Sequence, residues 1–103
     1  MPIKRDQALS TLQVDNERVR VTQWRFAPGA ETGWHRHLHD YVVVPLTDGN
    51  LELESAEGRQ IAALKSGGSY SRTAGVEHNV INANEYEFVF VEVELIEPAP
   101  SAR

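Results

Sequence analysis

Residues 33–41 read GWHRHLHDY and hold three of the chain's four histidines, His35, His37 and His39, each two positions from the next, with Tyr41 closing the stretch. The fourth, His78, stands far down the chain in GVEHNVIN. On an extended strand, side chains at i and i+2 share a face and lie roughly 6.6 Å apart along the axis. Two imidazoles at that spacing can reach one metal ion at about 2.1 Å, so His35 with His37, or His37 with His39, can begin a site. His35 and His39, roughly 13 Å apart on a straight strand, meet only if the chain bends after His37. A third ligand must come from a distant segment, and His78 is the one histidine left for it. A single His-x-His is a weak signal, since surface strands carry such pairs by chance.

Composition limits what surrounds the histidines. With 103 residues, 41% hydrophobic and 24% charged, the chain fits a single globular domain with one modest core. A formal charge of −5 with no lysine or arginine cluster argues against nucleic-acid and anionic-membrane partners, which need a basic face. There is no cysteine, so disulfides, thiol nucleophiles and thiolate metal sites are excluded, and any metal must be held by nitrogen and oxygen. The opening MPIKRDQALS lacks the apolar segment of a secretory signal, and no run approaches the ~18 apolar residues of a membrane helix. A cytoplasmic protein is expected.

On both sides of the histidine window, apolar and polar residues alternate and turn residues interrupt them every eight to twelve positions, the pattern of an all-β sandwich or barrel. YVVVPLT, directly after the window, reads as a strand buried on both faces, with Pro45 marking an edge or a bulge. TDGN is a hairpin turn between that strand and LELES; AEGR turns the chain again into IAAL. Upstream, TLQV and RVRVTQWRF are strands, and in the second the apolar phase slips between Val21 and Trp24, which predicts a bulge at Thr22–Gln23. Downstream, KSGGSYSRTAGVEH is loop-rich, VIN is a short strand and EYEFVFVEVELI a long one. About eight short strands must close on themselves to hide their edges, and a jelly roll does so economically. The core is expected over residues 10–97, with a fraying N-terminus and a frayed, proline-broken tail at 98–103.

Two spaced motifs then become specific. Gly29, five residues, His35-Arg36-His37 and a later Gly49 form the first; Gly67, five residues, Thr73-Ala74-Gly75, two residues, His78, three residues and Asn82 form the second. The chain thereby resembles the cupins, whose motifs carry these spacings, with Thr73 replacing the usual proline. The resemblance implies an all-β, double-stranded β-helix barrel with His35, His37 and His78 as ligands of one divalent transition metal (Fe, Ni, Zn, Cu, Co or Mn). The family's glutamate is missing: after three or four intervening residues this chain has Tyr41 or Val42. Three possibilities stay open: a three-histidine site with free positions, Tyr41 as a phenolate ligand or catalytic group, or His39 as a further ligand. His35, His39 and Tyr41 together also resemble the metal site of some lyase-type cupins.

The resemblance further implies a small-molecule substrate, a homodimer, and dioxygenase, lyase or isomerase chemistry on a small organic acid. A non-catalytic metal- or ligand-binding sensor is the alternative. The stretch HDYVVVPLT is also similar to small bacterial cupins labelled as β-alanine degradation proteins. Among neighbouring residues, Gly75 is expected to serve a turn, Asn82 to hold a loop, and Asp40 to face solvent. Trp34 and Arg36 should point away from the ligands. Tyr70 and Arg72 should line the barrel mouth, where Arg72 is placed to grip a carboxylate. Phe88 and Phe90 should fill the core. Glu92 and Glu94 share one strand face and are expected on the surface with no catalytic part.

Overall fold

Period-two alternation becomes nine strands in the computed structural model, which describes residues 4–97. In chain order these are β1 (Leu9–Asp15), β2 (Val19–Phe26), β3 (His35–Arg36), β4 (Asp40–Pro45), β5 (Gly49–Ser55), β6 (Gly58–Leu64), β7 (Tyr70–Arg72), β8 (Glu77–Asn82) and β9 (Phe88–Leu95). They form a five-stranded sheet, β1-β2-β9-β4-β7, and a four-stranded sheet, β3-β8-β5-β6. This is the jelly roll the spacing predicts, with its ladders split into two sheets rather than closed into one ring. The tail expected to fray at 98–103 lies outside the described residues. The chain just ahead of β1, also expected to fray, is instead held: the Ala8 N–H donates to the Glu31 carbonyl at 2.8 Å and the Glu31 N–H to the Asp6 carbonyl at 2.9 Å.

Between the sheets lies the core of Phe26, Tyr41, Val43, Leu51, Val80, Phe88 and Phe90, with Trp24, Leu53 and Tyr70 packed against it. β4 contributes through its odd positions: Tyr41, Val43 and Pro45 are buried, whereas Val42 and Val44 on the outer face are half-buried. That is one buried face, not the two expected. The Pro45 carbonyl accepts the Gly67 N–H at 2.8 Å, so its nitrogen faces the same side, beyond the last β4–β7 pair at Val43↔Tyr70. No ladder bond is needed there, and proline is tolerated inside the sheet.

β2 runs without interruption against β9 from Val19↔Leu95 to Phe26↔Phe88, so the bulge expected at Thr22–Gln23 is not there. The irregularity lies on the partner strand β1, between Leu12 and Val14. The apparent slip in phase has another cause. Trp24 and Phe26 pack inward, while Val19 and Val21 belong to an outer face that is itself apolar. β7 was hidden in the sequence because it is three residues long, polar, and set among glycines.

Asn82 ends β8 and anchors the loops at that end, as expected. Its Nδ2 donates to the carbonyls of Phe26 (3.2 Å), Ala27 (3.2 Å) and Tyr86 (2.8 Å), and its Oδ1 accepts from the N–H and Nδ2 of Asn84.

Candidate metal centre

The short strand β3 pairs with β8 so that His35 stands directly opposite His78. His37 follows two positions later, just past the end of β3, where the loop of the second motif fastens it. Its N–H donates to the Val76 carbonyl and its carbonyl accepts the Gly75 N–H, both at 2.8 Å. Gly75 makes that approach at φ +98°, in the left-handed region that favours glycine. The two motifs are therefore joined by backbone hydrogen bonds at the histidines themselves.

The side chains converge. Ligand atoms of His35, His37 and His78 all lie within 4.8 Å of one another. Nε2 of His37 is 3.0 Å from Nε2 of His35 and 3.2 Å from Nε2 of His78. Nitrogens held about 2.1 Å from one ion stand about 3.0 Å apart at right angles and about 3.4 Å apart at the tetrahedral angle, so the spacing fits a shared cation. The tautomers agree. Nδ1 of His35 is 2.9 Å from the Gly33 carbonyl, which can only accept, so Nδ1 carries the proton and Nε2 presents its lone pair to His37. Burial, reinforced by the neighbouring imidazoles, lowers His37 to about 4; burial, His35 and Arg72 lower His78 to about 4. Both are neutral at pH 7, as metal ligation requires.

His39 is not brought to these three. The chain bends between His37 and β4, the i+2 rule lapses there, and His39 is left at the rim of the cavity. Tyr41, at the family's glutamate position, is buried and stacks face to face on His37, with ring centroids 3.8 Å apart and planes at 16°. Burial, with the nearby Tyr70 and Glu92, pushes its phenol well above the ordinary range, which favours the protonated hydroxyl in the metal-free protein.

The histidines face a cavity of about 280 Å³ between the sheets, whose apolar walls include Trp24, Leu51, Val80 and Phe90. Trp34 is exposed outside it, as expected; Arg36 is exposed but reaches the rim. Tyr70 and Arg72 border an adjoining hollow on the other side of His78, with the Arg72 guanidinium carbon 5.6 Å from the centre of the Tyr70 ring. Asp40 neither orients a ligand nor stands idle: its Oδ1 accepts the Ala74 N–H at 2.8 Å and fixes the second motif's loop.

The site residue that sequence reasoning missed is Glu92. Expected on the surface, its side chain is only 12% exposed, and Oε1 lies 3.7 Å from Nδ1 of His37. Burial, with Glu94 next on the same face, pushes Glu92 up to about 7. Because His37 is neutral at that pH, the contact is a neutral imidazole beside a carboxyl group, not an ion pair. The signal was present. In FVFVEVEL, Glu92 and Glu94 stand in phase with Phe88 and Phe90, so two carboxylates continue a core-facing row. Both line the cavity, as does Phe90.

An all-β jelly roll with two joined histidine motifs defines a class, and residues 22–94 match the cupin domain model. The chain belongs to the cupin family. It is 67% identical over 91 residues to the β-alanine degradation protein BauB of Pseudomonas aeruginosa, covering 88% of this chain and 96% of that one. A cupin domain from Bordetella pertussis superimposes with a TM-score of 0.91 at 59% identity, over 93% of this chain and all of that one. A double-stranded β-helix protein from Klebsiella pneumoniae, 22% identical, shares the fold at a TM-score of 0.74 over 97% of this chain and 81% of that one. No helix among the described residues is long and apolar enough to cross a membrane.

Proposed function

We propose that this cupin is a small metalloenzyme that binds one divalent transition metal through His35, His37 and His78 and acts on a small organic acid in the cavity beside them. The observation that carries the proposal is where the three nitrogens point: they converge at the wall of a 280 Å³ cavity, with no carboxylate in the group to fill further positions. Such a site has neutral ligands and open coordination positions, which suit an anionic substrate oxygen. An ion held there would supply Lewis-acid or redox chemistry. The chain's own residues do the rest. Trp24, Val80 and Phe90 exclude water from the reacting end, and the protonated Tyr41 hydroxyl is a hydrogen-bond donor in the same wall. Arg72, across His78, is a cation for a substrate carboxylate.

The likeness to a β-alanine degradation protein supports a three-carbon carboxylate from the breakdown of β-alanine as the substrate. Dioxygenase, lyase and isomerase outcomes are each compatible with the site. We further propose a cytoplasmic homodimer without nucleic-acid or membrane partners. The outer face of the five-stranded sheet aligns Val21, Val93 and Val42 in one row and Val91 with Val44 in the next, an apolar strip suited to a second copy.

The test is to load the protein with each candidate metal, add β-alanine or three-carbon carboxylates derived from it, and follow substrate by proton NMR with oxygen uptake recorded in parallel. Turnover in the wild type that is absent in His37→Ala supports the enzyme. Saturable binding without turnover, for every metal, replaces it with the sensor alternative.

A further inference from the structure

The carboxylate missing from the first motif has a counterpart on the last strand. β9 lies between β2 and β4, and its register sets Glu92 beside Val43 and Thr22. From there the side chain reaches across the cavity wall to the imidazole of His37, on the edge away from the other two histidines: Nε2 faces His35 and His78, and Nδ1 faces Glu92 Oε1 at 3.7 Å. Among the described residues, Nδ1 of His37 has no other polar partner. The other motif-one histidine is served differently, since Nδ1 of His35 has the Gly33 carbonyl at 2.9 Å and the Thr32 hydroxyl at 3.3 Å. His37 is the most buried of the three, 7% exposed, and its ring is stacked on Tyr41, which limits rotation.

We propose that Glu92 is a positioning residue of the metal centre: it accepts the Nδ1 proton of His37, fixes the tautomer that turns the Nε2 lone pair toward the ion, and makes that imidazole a stronger donor. The inference rests on the metal-centre proposal above. A carboxylate behind a ligating imidazole raises its basicity and holds its plane, and losing such a partner commonly costs about 10–100-fold in metal affinity. At 3.7 Å the pair is just outside hydrogen-bond length, and closure of that gap on metal loading is part of the proposal. Tyr41 then occupies the family's glutamate position as a stacking surface, while negative charge reaches the ion through His37 instead of by direct ligation. Glu94 is the comparison: it lines the same cavity two residues on and reaches His37 only through its charge on Glu92, so its loss should not weaken metal binding.

The experiment measures Co²⁺ and Zn²⁺ affinity by competition with a chromophoric chelator, and the visible spectrum of the Co²⁺ form, for wild type, Glu92→Gln, Glu92→Leu and Glu94→Gln. The expected result is a loss of about tenfold in Glu92→Gln, which keeps an acceptor but not the charge, and of about a hundredfold in Glu92→Leu. The Co²⁺ bands should shift in both, while Glu94→Gln, which removes a charge that disfavours ionised Glu92, should not weaken binding. Because a buried substitution can impair folding, ¹⁵N-imidazole NMR of the Zn²⁺-loaded wild type is an independent check. A protonated, strongly downfield Nδ1–H on His37 is expected, and metal on Nδ1 overturns the proposal. Wild-type affinity and spectrum in both Glu92 variants overturn the role of Glu92 alone. No metal binding by the wild type overturns the metal centre and this inference together.

Discussion

Strand β8 places His78 and Asn82 four positions apart on one face, and the protein surrounds the two in opposite ways. At Asn82 every polar atom is answered: three carbonyls take its amide protons and Asn84 supplies two donors to its oxygen. The His78 side chain instead has another histidine nitrogen at hydrogen-bond distance, Nε2 of His37 at 3.2 Å, itself 3.0 Å from Nε2 of His35. Interior polar groups are normally paired, because an unpaired one costs its full desolvation. One end of β8 obeys that rule with protein atoms alone, and it fixes the loops. The other brings three imidazole nitrogens together in a group that could hold a cation, and it is the end that opens on the cavity. The same strand thus separates an architectural hub from a chemical one.

Exchanging the roles of the two ends gives the largest expected effect. Asn82→Ala strands the Phe26, Ala27 and Tyr86 carbonyls and should cost on the order of 3 kcal/mol by urea unfolding, while the folded fraction keeps its metal affinity. His78→Gln should do the reverse, abolishing metal binding with a change in metal-free stability below about 1 kcal/mol. If Asn82→Ala is as stable as wild type, the distinction between the two ends fails.

Acid should also affect the ends unequally. Unfolded, His37 and His78 bind protons near pH 6.5, but in the fold only near 4. Between those values the unfolded chain holds more protons, so stability present above pH 6.5 is lost as pH falls toward 4. Glu92 acts in the opposite sense. Its carboxyl moves from 4.5 to about 7 on folding, so its contribution is full below pH 4.5 and is lost as pH rises through 7. Two histidines outweigh one carboxylate, and the metal-free protein should melt at a lower temperature at pH 5 than at pH 7. His78→Gln, which also relieves His37 of a charged neighbour, should flatten that dependence. A melting temperature that rises toward pH 5 contradicts the assignment.

Two smaller effects complete the series. Gly75→Ala forces a side chain to φ +98° and should cost roughly 1–2 kcal/mol, with weaker metal binding because the loop fastens His37. Arg25→Ala breaks an ion pair of 2.8 Å to Glu87 whose partners are both about half exposed, far from the histidines. It should change the urea midpoint by less than about 0.5 kcal/mol and leave metal affinity untouched.

Much of this was legible in the chain. The resemblance to the cupin motifs pointed to His35, His37 and His78 together, and the three do lie within 4.8 Å of one another; Asn82 was expected to hold a loop, and does. What escaped was set by tertiary position. Pairing to Tyr41–Val43 makes a strand of Tyr70–Arg72, although nothing in its composition asks for one. The outer valines of β2 imitated a bulge, since alternation cannot distinguish a bent strand from one with two apolar faces. Glu92 was assigned to the surface by residue type although its phase matched Phe88 and Phe90. Phase deserved precedence over type, and a carboxylate in a core-facing row is itself a sign of a site.

The first measurement to make is metal content by inductively coupled plasma mass spectrometry, on purified wild type beside His78→Ala. Close to one divalent transition-metal ion per wild-type chain, and none in the variant, is the result expected of a centre built by the two motifs together. A wild type that stays metal-free even after reconstitution, or a variant that keeps its ion, would contradict it.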